Sequence, residues 1–141
     1  MYAPHTVSLL NRHPTGERLT VLRGVMLQVT NSRSVVRSGD LDEAEASLYI
    51  PEFSAFLPPK EYIACPDPEN HWTLQPEGES AGRSSFFVKG ELTEALSLAE
   101  AMKRFDEVYL VAGYQIHDYG SPRMRHIEVH SKISGRFYYY N

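Results

Sequence analysis

The sequence has little cysteine and no long hydrophobic run. Cys65 is the single cysteine among 141 residues, which excludes an internal disulfide and a CxxC metal site. No apolar stretch approaches the ~18 residues that a membrane helix needs, so we predict no membrane partner. The first ten residues, MYAPHTVSLL, lack a basic start followed by an extended apolar segment and predict no signal peptide. These absences favour an intracellular origin.

The common catalytic signatures are also missing. The chain contains no GxSxG nucleophile elbow, no P-loop and no GxGxxG fingerprint. Cys65 lies in the loop-like segment IACPDP, with no helix start or base beside it to activate the thiol. The sequence therefore predicts a protein without enzymatic activity, catalytic residues or a cofactor.

An excess of positive charge is absent, since the net charge is −4. Residues 1–39 carry five arginines and one glutamate, residues 40–107 fifteen acids and five bases, and residues 108–141 four bases and two acids. Basic ends and an acidic middle suit complementary contacts between protein partners, including copies of the chain, although acidic loops also serve solubility alone. The acidic balance argues against a nucleic-acid-binding barrel, which stays an alternative because Trp72 and the tyrosines are able to stack on bases.

Short β-rich segments separated by turn residues dominate the rest of the chain. They lie at 5–11, 18–31, 47–51, 71–76, 86–92, 107–116 and 124–133. We predict one mainly β domain over residues 1–141, a small barrel or sandwich of about seven strands. Gly24 interrupts the second segment, as a bulge or a sharp bend does.

One amphipathic helix is predicted over residues 91–105, with Gly90 or Thr93 as the N-terminal cap, covering one end or edge of the sheet. Its apolar positions recur with the helical period at Leu92, Ala95, Leu96, Ala99, Met102 and Phe105.

Long loops are predicted at 51–68, which holds five prolines, and at 77–85, with a C-terminal extension over 131–141. The first loop is expected to hold one ordered piece around Tyr62 and Ile63. Apolar side chains in a loop or a tail suit a partner interface, and the candidates are Phe53, Phe56, Leu57, Tyr138, Tyr139 and Tyr140.

The segment HDYGSPRMRHIEVH, residues 117–130, is typical of a β-hairpin, and it is rich in histidine. Strand alternation places His126, Glu128 and His130 on one face, opposite Ile127 and Val129. Two imidazoles and a carboxylate suit zinc or ferrous iron, with His117 or Asp118 across the hairpin completing a site.

An ordinary amphipathic strand explains the same pattern. Successive side chains on one face lie ~6.6 Å apart, which is too far for three neighbours to converge on one ion without a bend. The sequence therefore favours a structural hairpin and assigns no metal, and it leaves His126, Glu128 and His130 as candidate ligands.

Several segments resemble one family. MYAPHTVSLLNR, LRGVMLQV, SLYIP, HWTLQP, FFVKGE and FDEVYLVAGYQIHDYGSPRMRHIEV follow in this order, and FFVKGE and DYGSPRMRHIEV are the most specific. The chain resembles small proteins that tailed bacteriophages and prophages of Gram-positive hosts encode among their head-to-tail joining genes.

The resemblance implies a structural virion protein at the head–tail junction, made in the host cytoplasm. Such head-completion or stopper proteins are small β-barrels with one helix. They form a homo-oligomeric ring on the portal and adaptor, close the DNA channel and receive the tail. Packaged DNA would pass through without sequence-specific binding. Another connector layer, tail completion and a small metalloenzyme stay open as alternatives.

Overall fold

A computed structural model describes residues 3–30, 45–78, 84–118, 120 and 124–134, and these fold into a mainly β domain. The strands are β1 (His5–His13), β2 (Gly16–Thr30), β3 (Glu45–Ile50), β4 (Phe86–Lys89), β5 (Val108–His117) and β6 (His126–Ser134), and the helices are α1 (Pro59–Ala64) and α2 (Leu98–Arg104). The predicted fold class is confirmed. Neither described helix is long and apolar enough to cross a membrane.

The six strands close into an antiparallel barrel in the order β1-β2-β3-β6-β5-β4. Alternate side chains of each strand point inward and fill the interior, with Leu9, Leu48 and Val129 fully buried there. Phe87 and Tyr109 stack on neighbouring strands, with 4.9 Å between their ring centroids. The interior is therefore a packed core, so chemistry that needs solvent is restricted to the outside and the ends of the barrel.

β2 turns a corner of the barrel at Gly24, as predicted. His5 pairs with Val25 and Thr6 pairs with Arg23, so Gly24 is an extra residue in β2. Its φ of 70° lies in the left-handed region that glycine adopts without a Cβ penalty. The first part of β2 pairs with β1 and the last part with β3.

The predicted helix over 91–105 is wrong in its extent, because α2 begins only at Leu98. Ser97 is the N-cap and forms a capping box with Glu100, rather than Gly90 or Thr93. Apolar residues before Ser97 pack without helical structure, and Leu96 is buried against the outside of the barrel with Leu10. α2 thus covers one outer side of the barrel.

Residues 71–76 were predicted to form a strand, and the structure shows only an isolated bridge between Trp72 and Phe56. Side chains supply several of the partners of this segment's backbone. Asn11 accepts a hydrogen bond from Thr73 N and donates one to Thr73 O, and Gln75 N donates to Ser85 Oγ. Satisfied in this way, the segment lies buried across the end of the barrel without joining the ladder.

The ordered piece predicted around Tyr62 and Ile63 in segment 51–68 is α1, with its fully buried Tyr62. Residues 131–134, assigned to the C-terminal extension, belong to β6. In the predicted loop 77–85, Ser85 is buried and its amide donates to Gln75 O. Residues 79–83 and 135–141 lie outside the described residues.

Candidate functional site

The candidate ligands lie on the outer face of the β5–β6 hairpin. His117 pairs with His126, the last pair before the connection between the strands. Ile127 and Val129 point inward and are fully buried, which leaves His126 and Glu128 on the outside, as alternation predicts. The structure thus places two predicted ligands beside a histidine from the neighbouring strand.

Three of these side chains form one compact group. One ligand atom from each of His117, His126 and Glu128 lies within 4.8 Å of the other two. His117 Nε2 is 3.2 Å from Glu128 Oε1, within hydrogen-bond range. The rings of His117 and His126 stack with 4.8 Å between centroids and 23° between planes. Among the described residues this is the group of three His, Cys, Asp or Glu side chains whose spacing suits a metal ion.

The surroundings of His126 fix its tautomer. Its Nδ1 lies 3.0 Å from the carbonyl oxygen of Met124. A carbonyl oxygen only accepts hydrogen bonds, so Nδ1 carries the proton and, in the neutral ring, Nε2 keeps its lone pair. The ring of Tyr49 on β3 lies against His126 with 5.9 Å between centroids. His126 is therefore held on two sides with one nitrogen available as a ligand.

His130 and Asp118 are not part of this group. His130 Nε2 is 3.9 Å from Glu128 Oε2, which is too long for a hydrogen bond, and its side chain is 50% exposed. Asp118 instead pairs with Arg125, at 3.5 Å between Oδ1 and Nε. The predicted set of His126, Glu128 and His130 therefore gives two members of the compact group, and His117 supplies the third.

The predicted interface residues of the first loop pack partly on the barrel. Phe56 is half-buried and contacts Trp72 edge-to-face at 5.3 Å. Phe53 packs against the core, with the Arg125 guanidinium 5.0 Å from its ring centroid. The amide of half-buried Leu57 donates to Trp72 O. Tyr138, Tyr139 and Tyr140 lie outside the described residues, so the proposed interface stays a prediction.

Sequence reasoning missed a buried polar group near the β1–β2 turn. His13 Nε2 lies 3.1 Å from the carbonyl oxygen of Cys65, and its ring packs edge-to-face on Tyr62 at 5.3 Å. Burial raises the pKa of Tyr62 to about 12, so its phenol stays protonated at neutral pH. These contacts anchor α1 to β1. A histidine directly before a proline-containing turn gave no signal of this role.

The chain belongs to a protein family of unknown function, DUF6751, whose sequence pattern matches residues 6–132. The match includes the compact histidine group and all six strands in whole or in part. No curated protein and no solved structure matches the chain.

Proposed function

We propose that the chain is a structural subunit of a ring at the head-to-tail junction of a tailed bacteriophage, where it closes the DNA channel and receives the tail. The observation that supports this most is the closed barrel with a filled interior. A ring under pressure from packaged DNA needs a rigid block, and a packed antiparallel barrel without sheet edges is one. A small barrel is also the fold that the resemblance implies.

The distribution of surface charge supports self-association. Exposed arginines lie on the β1–β2 side, among them Arg12 and Arg23, while Glu91 and Glu94 lie in the segment before α2. Arg12 and Arg23 already form ion pairs within the chain, with Glu17 and Glu91. Exposed pairs of this kind contribute little to stability, so little is lost when they are broken. A head-to-tail arrangement of copies would use these charges across each interface, and it forms a ring when its rotation closes.

The test is deletion of the gene from the phage or prophage that encodes it. We expect heads without tails that lose their DNA during purification, the chain present in wild-type particles by mass spectrometry, and recovery when the gene is supplied in trans. A synonymous recoding of the gene is the matched control. Normal tailed particles after deletion, or particles that lack the chain, would contradict the proposal.

The same experiment separates the stopper from its close alternatives. Loss of a stopper lets packaged DNA escape, so heads empty during purification. Loss of a tail-completion protein leaves heads that stay full and tails that cannot join. Electron microscopy of the deletion particles distinguishes these two outcomes directly.

A further inference from the structure

We propose that His117, His126 and Glu128 bind one divalent first-row transition metal ion, with zinc as the reference ion, at the turn end of the β5–β6 hairpin. The proposal concerns a binding site outside the ring function and does not depend on it. Two imidazoles and one carboxylate are ligands that zinc accepts, and a three-residue set leaves one coordination position open.

The spacing of the ligand atoms fits such an ion. Metal–ligand bonds of about 2.0–2.1 Å in a tetrahedron place neighbouring ligand atoms roughly 3.4 Å apart. His117 Nε2 and Glu128 Oε1 are 3.2 Å apart, so this edge of the tetrahedron is formed. The three ligand atoms all lie within 4.8 Å of one another, so no separation exceeds the tetrahedral edge by more than roughly 1.4 Å.

The cross-strand arrangement removes the objection that the sequence raised. Ligands along one strand are ~6.6 Å apart, whereas directly opposite residues of antiparallel strands have Cβ atoms about 4.5–5.5 Å apart. His117 and His126 are such an opposite pair. Glu128 is one same-face step from His126 and has the reach to meet both. The site therefore needs no bend in β6.

A hydrogen bond that orients one of the proposed ligands is also present. The bond from His126 Nδ1–H to Met124 O leaves Nε2 as the ligand atom, the usual arrangement for metal-binding histidines. The His117 and Glu128 side chains are 24% and 21% exposed, so the ion would be partly shielded from solvent. Bound there, the ion would join the ends of β5 and β6 across the residue 118–125 connection.

The experiment is isothermal titration of the untagged full chain with zinc sulfate, repeated for His117→Ala, His126→Ala and Glu128→Gln. His130→Ala is the matched control, because His130 lies on the same face of the same strand but outside hydrogen-bond reach of Glu128. We expect one zinc per chain, affinity lowered at least about tenfold by each ligand variant, and a change below about threefold for His130→Ala.

Three outcomes would overturn the proposal. These are no stoichiometric zinc in the wild type, equal affinity in wild type and His117→Ala, or an equal loss in His130→Ala and His117→Ala, which would indicate adventitious histidines. Circular dichroism checks that each variant folds, and His117→Gln replaces His117→Ala if that variant does not. The visible absorption of the cobalt complex gives an independent readout, which the ligand variants should lose and His130→Ala should keep.

Discussion

The two outer sides of the barrel differ in what lies over them. On one side, outward residues of β1 and β4, including Leu10 and Val88, are buried beneath Leu96 and Ala101. On the other side, around the histidine group, the outward residues of β3, β5 and β6 are polar or aromatic and partly exposed. They include Tyr49, His117, His126 and Glu128. The outer face of the barrel is therefore apolar where another element packs on it and polar or aromatic elsewhere.

The sequences of β4 and β6 differ according to whether their outer faces are covered. In β4, Phe86, Phe87 and Val88 are consecutive and all buried, because both faces of that strand are covered. In β6, buried Ile127 and Val129 alternate with more exposed polar residues, since only the inner face is covered. A continuous apolar run thus indicates a second layer over a strand, and alternation indicates solvent.

Removing a large side chain from the covered side should have the largest effect. Leu10→Ala creates a cavity under α2, and we expect the free energy of unfolding to fall by about 2–5 kcal/mol. Urea denaturation measures the change. Leu98→Ala, at a residue 40% exposed on α2 itself, is the control and should cost less than about 0.5 kcal/mol. Equal losses would mean that the cover is not a packed layer.

Zinc bound at the histidine group should change the free energy of unfolding by an amount comparable to, or smaller than, the loss in Leu10→Ala. Free zinc at 100 times its dissociation constant should raise the free energy of unfolding by about 2.7 kcal/mol, because the folded state alone presents the site. Thermal or urea unfolding with and without zinc measures this rise, which EDTA should reverse. His117→Ala should abolish the rise and His130→Ala should keep it. An undiminished rise in His117→Ala would mean that the stabilising zinc does not bind at the group that contains His117.

The N-terminus of α2, the helix that packs on one side of the barrel, depends on one capping residue. Ser97 Oγ accepts a hydrogen bond from Glu100 N, at 3.2 Å, and we expect Ser97→Ala to cost about 1 kcal/mol. Thr93→Ala is the control, since Thr93 is exposed and caps nothing, and it should stay within about 0.5 kcal/mol of the wild type. Chemical denaturation of both variants decides between the observed start of α2 and the longer helix that the sequence predicts.

The smallest effect is a pH dependence at the same cap. Hydrogen bonds from the backbone and then the side chain of Ser97 lower the pKa of Glu100 below its usual 4.5. Its unfolded pKa is therefore the higher one, so the carboxylate stabilises α2 above pH 4.5 and loses this contribution as the pH falls through the folded pKa. The stability difference between wild type and Glu100→Gln should shrink over that fall. A constant difference would contradict the assignment.

Local patterns predicted much of the fold. Gly24 marked the bend in β2, and the two β-rich runs around Gly120 marked the β5–β6 hairpin. The helix was predicted too long because apolar spacing continued upstream of Ser97, although the Ser-x-x-Glu cap at 97–100 was visible in the sequence. The prediction of a strand at 71–76 was wrong for another reason. Its backbone partners include the side chain of Asn11, sixty-two positions away, which no local pattern reveals.

The candidate site was half predictable for a similar reason. Alternation within β6 gives the shared face of His126 and Glu128 from sequence alone. The sequence also offers His117 or Asp118 across the hairpin, and the choice of His117 depends on the register between β5 and β6, which the length of their connection sets. That register also leaves His130 opposite Gly113, which offers no side chain to complete a site.

Closure of the barrel has a consequence for the rate at which the chain folds. The hairpins β1–β2 and β5–β6 join residues near in sequence, whereas the β1–β4 and β3–β6 seams join residues about eighty positions apart, such as Val7 with Lys89 and Leu48 with Val129. Long loops must close before either seam gains its contacts, and their entropy is lost first. We therefore expect early hairpins and a slow final search, so that the two distant seams set the refolding time.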